Sequence, residues 1–304
     1  MKIALTGATG FVGRRLIARL QGGGHELYVL SRREPADLPD GVRFHQWNAL
    51  KEHPPLDALE GAGAVIHLAG EPVAQRWTPR AKLRIQASRV EGTNALTAAI
   101  ARLTHKPKTL LAASAIGYYG NRGEELLNEN SPPGSGFLPE TSVRWEAASD
   151  KAAQLGMRVV KFRIGLVLGA EGGALKKMLP PFRLGLGGRL GSGRQWMSWI
   201  HVEDLAGMIL FALQREDIRG VMNATSPNPV RNAAFTHALG SALKRPTVFP
   251  VPAFALKLLL GEMSELLLDS QRVEPAAALR SAFSFQFPSL ASALQDILGP
   301  RAAA

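Results

Sequence analysis

Three glycines recur at every third position in Gly7-Ala8-Thr9-Gly10-Phe11-Val12-Gly13, directly after the apolar run Lys2–Thr6. This spacing suits one kind of chemistry, the wrapping of backbone around a diphosphate. Gly7 permits a tight turn after a strand, Gly10 lets backbone N–H groups approach the ligand, and Gly13 lets the next helix pack close to the sheet. The helix opening at Phe11 then presents unpaired N–H donors and the positive end of its dipole to the phosphates. A glycine triplet alone is a weak signal. Here Val12, Leu16, Ile17 and Leu20 fall on one face of the helix and a second strand follows, the context that marks a dinucleotide cradle formed by Gly7, Thr9, Gly10, Phe11, Val12 and Gly13.

The second strand ends Val29-Leu30-Ser31-Arg32-Arg33, with no carboxylate before Glu34. A carboxylate there would hydrogen-bond the adenosine ribose of NAD. A hydroxyl and two guanidiniums instead suit a 2′-phosphate, because arginine meets phosphate with a planar, permanently charged fork. Ser31, Arg32 and Arg33 therefore predict NADP(H). The alternative is that both arginines are solvated loop charges.

The elements that must position these groups alternate strand and helix through the first half of the chain. Strands are expected at Lys2–Thr6, Glu26–Ser31, Val42–Gln46, Ala64–Leu68, Thr109–Ala113 and Arg158–Arg163, with helices at Phe11–Gln21, Pro79–Leu103 and Pro139–Leu155. Alternation of this kind predicts an α/β fold, a Rossmann-type doubly wound parallel sheet, with a smaller and mainly helical C-terminal domain on the substrate side. The expected division is a cofactor domain over 1–170, with 195–225 returning to it, and a cap from 171–194 and 226–304. The Pro/Gly-rich segment Asn121–Gly136 is long enough to be a lid or binding loop. Gly185–Arg194 reads as a flexible glycine-rich stretch and Ala302–Ala304 as a frayed end.

Composition removes several classes of function. There is no cysteine among the 304 residues, so disulfides, thiol nucleophiles and cysteine metal sites are excluded. The net charge of +11 raises nucleic-acid binding, but Lys and Arg are scattered without a basic run, so no nucleic-acid partner is expected. Lys257, Glu262 and Glu265 interrupt the apolar stretch Phe254–Leu268, which argues against a membrane span. A strand starting at Lys2 leaves no room for a targeting peptide, so the expectation is a cytoplasmic protein, monomer or homodimer, acting on a small molecule.

Further segments carry a resemblance. Val65-Ile66-His67-Leu68-Ala69-Gly70, Ala113-Ser114-Ala115-Ile116-Gly117-Tyr118-Tyr119-Gly120, Arg163-Ile164-Gly165 and Trp199-Ile200-His201-Val202-Glu203-Asp204, taken with the glycine turn, resemble the extended short-chain dehydrogenase/reductase superfamily. Gly70-Glu71-Pro72, Arg76-Trp77-Thr78, Ser88-Arg89-Val90-Glu91-Gly92-Thr93 and Gln271-Arg272-Val273-Glu274-Pro275 are similar to its atypical epimerase-like branch. Members of that branch are labelled sugar-nucleotide epimerases and carry a C-terminal domain of unknown function. The resemblance covers nearly the whole chain. It implies that Leu68, Ala69 and Gly70 lie against the adenine and ribose side of the cofactor, that Arg89 and Arg163 bind it with Arg163 near the nicotinamide, and that Ser114 donates a hydrogen bond to substrate or nicotinamide.

One departure from the family pattern bears on the chemistry. Relatives pair that hydroxyl with a Tyr-x-x-x-Lys helix, whose i, i+4 spacing sets both groups on one face. No Tyr-x-x-x-Lys occurs here, and the corresponding positions are Trp145 and Ser149. Three possibilities stand: Tyr118 or Tyr119 supplies the proton with help from Arg89, Glu146 acts as a base, or the cofactor is bound without turnover. For the tyrosines packing is an equal alternative, and for Glu146 a solvated helix charge is the simpler one. His67 in its apolar strand reads as a satisfied structural histidine, and His201, Glu203 and Asp204 as helix capping rather than a metal set.

Overall fold

The computed structural model describes residues 1–299, so the Ala302–Ala304 end lies outside the described residues. The chain opens with strand β1 (Lys2–Thr6), helix α1 (Phe11–Gly22), β2 (Glu26–Ser31), β3 (Arg43–Gln46), the single turn α2 (Leu56–Leu59), β4 (Ala64–His67), α3 (Pro79–Ala101) and β5 (Thr109–Ala115). A two-residue strand β6 (Leu126–Leu127) precedes α4 (Phe137–Asp150), β7 (Arg158–Ile164), β8 (Leu166–Leu168) and α5 (Gly173–Arg183). Then come β9 (Trp196–Met197), β10 (Trp199–His201), α6 (Val202–Gln214), β11 (Gly220–Ala224), β12 (Val230–Arg231) and α7 (Asn232–Leu243), followed by short helices and β13 (Arg272–Val273).

Seven strands form one parallel sheet in the order β11-β7-β5-β4-β1-β2-β3. The chain builds outward from β1 through β2 to β3, then crosses back to place β4 on the other side of β1. Ligands of open α/β sheets bind beyond the strand carboxyl ends at such a reversal. The inner strands are apolar on both faces because helices cover both: Ile3, Leu5 and Ile66 join one core cluster, Ala4, Val65 and Leu110 the other. β11 completes the sheet edge by pairing with β7.

Three segments differ from their sequence expectations. Helix α5 was not anticipated and contains Pro180 and Pro181; it persists because Leu175, Leu179 and Phe182 are buried along one face. The Asn121–Gly136 segment is tied down rather than free: Leu126–Leu127 pairs with Arg272–Val273, and Arg122 N–H donates to Ser270 O at 2.9 Å. The glycine-rich stretch is held, not flexible. Gly191 N–H donates to Val251 O at 2.8 Å and Val251 N–H to Arg189 O at 2.9 Å, while a Cβ on Gly188 would collide with the Phe249 carbonyl.

Candidate functional site

The three glycines of the turn answer to different constraints. Gly7 has φ +72°, and a Cβ there would lie 2.6 Å from Leu68 C and 2.8 Å from Ala69 N, so the turn is pressed against the end of β4. A Cβ on Gly13 would run into Gly7 O and Ala8 Cα. Packing therefore requires both. Gly10 has ordinary extended backbone (φ −76°, ψ 170°), and its Cβ would approach only Gly7 O, at 3.2 Å. Nothing in the protein demands a glycine at 10, and what the missing side chain leaves open is the face above the N-terminus of α1. That first turn holds no acidic residue and Gly10 offers no side-chain cap, so the helix's leading N–H groups face the opening without a side-chain acceptor. This is the chemistry a diphosphate fits.

A buried hydrogen-bond chain fixes the reversal point. Thr93 donates its hydroxyl to Arg89 O at 2.5 Å, so His67 Nε2 must donate to Thr93 Oγ1 at 3.0 Å. His67 Nδ1 is then the acceptor for Thr6 Oγ1 at 2.7 Å, and Thr6 Oγ1 in turn accepts from Ala69 N–H at 3.2 Å. β1, β4 and α3 are thereby locked at the point where the glycine turn and Leu68-Ala69-Gly70 meet. Complete burial pushes the His67 imidazole down to about 4. The unfolded chain takes up this proton near pH 6.5 and the native state resists it, so His67 favours folding fully above that pH and loses its contribution as pH falls toward 4. The lost stability is about 3 kcal/mol over that window. Urea denaturation at pH 7 and pH 4.5 should show it, and His67→Gln should flatten that part of the slope; an unchanged slope would show that the imidazole is not held neutral.

Just after β2, Arg32 and Arg33 are exposed, and among the described residues neither guanidinium forms an ion pair or a hydrogen bond. Ser31 is half-buried at the end of β2. The three cluster at and just after the carboxyl end of the strand next to β1, where a phosphate would fit.

Beyond β5 and β7 the structure brings several predicted residues into one network. Ser114 is 2% exposed and donates its hydroxyl to Glu146 Oε1 at 2.7 Å. Arg163 Nε and Nη2 clamp the two oxygens of Glu146 at 2.8 and 2.9 Å. Burial works against the Arg163 charge, but the hydrogen bonds and charge of Glu146 outweigh it and hold the guanidinium above the usual arginine range. Tyr119 is fully buried, with its hydroxyl 2.7 Å from Asn223 Oδ1 and 2.9 Å from Asn128 O while it accepts from Arg163 Nη1 at 3.0 Å.

These contacts correct three expectations. Glu146 is a buried, doubly paired carboxylate rather than a solvated charge or a free base. Tyr119 is a structural strut, its hydroxyl saturated. The single proton of Ser114 is spent on Glu146, so Ser114 presents lone pairs to a ligand rather than a donor. Arg163 serves this network with every nitrogen bonded. Tyr118 differs: it is half-buried, the Arg163 guanidinium lies 3.4 Å from its ring centroid, and its hydroxyl has no partner among the described residues.

Arg89 reaches from α3 to the end of β4, where Nη1 donates to Glu71 O at 2.9 Å and Ile85 O at 3.1 Å. Its Cζ lies 5.0 Å from the Trp145 ring on α4. Burial, opposed by the Glu71 charge, pushes Arg89 down to about 10. His201 caps α6 by accepting from Glu203 N–H at 3.2 Å, and Asp204 accepts from Gln286 and Phe287 N–H, so these residues anchor the C-terminal segment.

Fold and site together define a dinucleotide-binding reductase or epimerase scaffold. Residues 3–224 match the NAD dependent epimerase/dehydratase family, and residues 251–297 match a domain of unknown function, DUF1731. The chain belongs to this epimerase/dehydratase family. It is 41% identical over 307 residues to an epimerase family protein SDR39U1 homolog, described as chloroplastic, of Arabidopsis thaliana, covering 98% of this chain and 87% of that protein. The epimerase family protein YfhF of Bacillus subtilis is 39% identical, with 99% of each chain covered. Among solved structures, human epimerase family protein SDR39U1 (isoform 2), crystallised with NADPH, superposes with a TM-score of 0.86 at 34% identity, covering 98% of this chain and 99% of that one.

Proposed function

We propose that this chain binds NADPH and uses it for hydride transfer on a small hydroxyl, carbonyl or sugar-nucleotide substrate, as an oxidoreductase or an epimerase. The observation that carries the cofactor half is the contrast within the turn: Gly7 and Gly13 are required by packing, whereas Gly10 is explained only by something lying above it. The unpaired Arg32 and Arg33 beyond β2 select the 2′-phosphate, and the human relative solved with NADPH agrees. Replacing either arginine by alanine should weaken NADPH binding roughly 10-fold, as expected for one charge-assisted hydrogen bond of about 1.5–3 kcal/mol. Binding of NADH should not change. Nicotinamide fluorescence titration reads both, and equal loss for the two cofactors would contradict the assignment.

When bound, NADPH would supply a hydride to a carbonyl carbon, whose oxygen then takes a proton; with the oxidised form bound instead, hydride taken from a substrate carbinol carbon, with loss of its hydroxyl proton, and both returned on the opposite face would give epimerisation without net redox change. The free hydroxyl of Tyr118, beside the Arg163 guanidinium, is the group suited to give that proton. Ser114 accepts a hydrogen bond from a substrate hydroxyl or an amide N–H and orients it. The cap, 171–194 and 226–304, closes over the strand ends and is tied to the cofactor domain by an ion pair between Lys82 and Glu262. No described helix is long and apolar enough to cross a membrane. We read the protein as cytoplasmic, a monomer or homodimer, with small molecules and not nucleic acids as partners.

A second reading, an NADPH-binding sensor without turnover, is favoured by the saturation of Glu146 and Tyr119. Incubation with NADPH against a panel of carbonyl compounds, and with NADP+ against a panel of sugar nucleotides, separates the two. Turnover that drops at least ~100-fold in Tyr118→Phe, the range of a lost general acid, supports the enzyme. Tight NADPH binding with no oxidation and no isomer on either panel supports the sensor.

A further inference from the structure

The chain has five tryptophans, and four of them donate their indole N–H to protein: Trp47 to Glu52 O at 3.1 Å, Trp77 to Val73 O at 2.9 Å, Trp196 to Glu124 Oε2 at 2.8 Å and Trp199 to Asn228 O at 3.1 Å. Trp145 is the exception. It is 5% exposed, and its Nε1 is buried without a hydrogen-bond partner among the described residues. Folded proteins rarely leave such a donor unmet, because an unpaired buried N–H forfeits its hydration with nothing in return.

The half-buried guanidinium beside it also carries donors that no protein group meets, although they are not sealed from solvent. Arg89 uses Nη1 on two carbonyls, and its Nε and Nη2 have no protein acceptor and no carboxylate within ion-pair distance among the described residues. It lies over the Trp145 ring and against Gly70, where a Cβ would sit 3.3 Å from Cζ. Two donor groups from two different helices, α3 and α4, thus meet at the end of β4 with no acceptor between them.

Their place in the sheet names the ligand. A dinucleotide whose diphosphate lies on the Gly7–Gly13 turn has one end above β2, where Arg32 and Arg33 stand, and its other end above β4 and β5. We propose that the Trp145 indole N–H and the free edge of Arg89 hold the hydroxyl oxygens of the nicotinamide-side ribose of NADPH. This rests on the NADPH reading above and assigns the half of the cofactor that the glycine turn and the two arginines leave unheld. Both groups keep their protons near neutral pH, so they position the ring and leave proton transfer to another side chain. They are positioning residues.

The test titrates full-length protein with NADPH and separately with 2′,5′-ADP, which carries the adenosine end alone. Trp145→Phe removes the N–H and keeps the ring face under Arg89; Arg89→Lys keeps the charge and removes the fork. Each should weaken NADPH roughly 5- to 20-fold, the worth of one or two hydrogen bonds, and leave 2′,5′-ADP unchanged. The indole N–H resonance that disappears in Trp145→Phe should shift in wild-type protein on adding NADPH and not on adding 2′,5′-ADP. Unchanged NADPH affinity in both variants, or equal weakening of both ligands, would overturn the proposal. Wild-type protein that binds 2′,5′-ADP and NADPH equally well would overturn it too, leaving the glycine-turn assignment intact. Wild-type protein that binds neither would remove the NADPH reading itself.

Discussion

Gly10→Ala should abolish high-affinity NADPH binding while the protein remains folded. The backbone at Gly10 is already in a region alanine adopts, and its Cβ would meet one carbonyl at 3.2 Å. The stability cost is about 1 kcal/mol, mostly the poorer N-cap. The methyl group would stand where the diphosphate approaches the α1 N-terminus. Losing two charge-assisted hydrogen bonds at about 1.5–3 kcal/mol each weakens binding at least ~100-fold. Gly13→Ala is the control with the opposite balance: its Cβ would run into the turn backbone, so stability falls by about 1–3 kcal/mol together with binding. Urea denaturation and NADPH titration on the two variants separate the effects. Gly10→Ala with wild-type affinity would show that nothing approaches the turn at this point.

Breaking the Glu146–Arg163 pair should be the most destabilising single substitution in the site. The side chains are 8% and 4% exposed, and the pair is bidentate and shared with Ser114 and Tyr119. Arg163→Met would leave a buried carboxylate without compensation, at a cost of about 3–5 kcal/mol. The double substitution Arg163→Met with Glu146→Leu should recover much of that loss, because it is the unpaired charge that is expensive rather than the absence of the pair. Urea midpoints with unchanged denaturant slopes give both values. A loss below about 1 kcal/mol for Arg163→Met would show that water reaches Glu146 and that the network is not the rigid support described. The pair joins β5, β7 and α4 beyond the strand ends, so its stiffness determines how firmly Ser114 and Tyr118 are held.

The parts of this fold that were legible in the sequence are those set by local rules. β1, the Gly7–Gly13 turn, α1 and β2 follow from apolar runs, glycine spacing and helical periodicity within a few residues of one another, and the sheet strands β1 to β5 and β7 lie within two residues of their expected limits. Gly10, Arg32 and Arg33 could be named as candidates from the sequence because each carries its signal within one short stretch. It was not legible where the signal is a meeting of distant residues. Nothing near Glu146 shows that Arg163 on another element will neutralise it, and so its burial could not be read from a helix rich in polar residues. The same holds for Leu126–Leu127 pairing with Arg272–Val273, which turns an expected lid into a strap. Helix α5 was hidden by Pro180 and Pro181, and only the burial of Phe182, Leu179 and Leu175 reveals why it forms. Trp145 was visible as a departure from a familiar pattern, but its unpaired N–H is a property of the packed site.

The turn beyond β1 is the feature from which the cofactor assignment follows. Calorimetric titration of the wild-type protein with NADPH and with NADH, in one buffer at one ionic strength, measures this directly. The predicted result is a single NADPH site per chain at least ~10-fold tighter than for NADH, from the charge-assisted contacts of Arg32 and Arg33. Equal or tighter binding of NADH, or no binding of either, would contradict it.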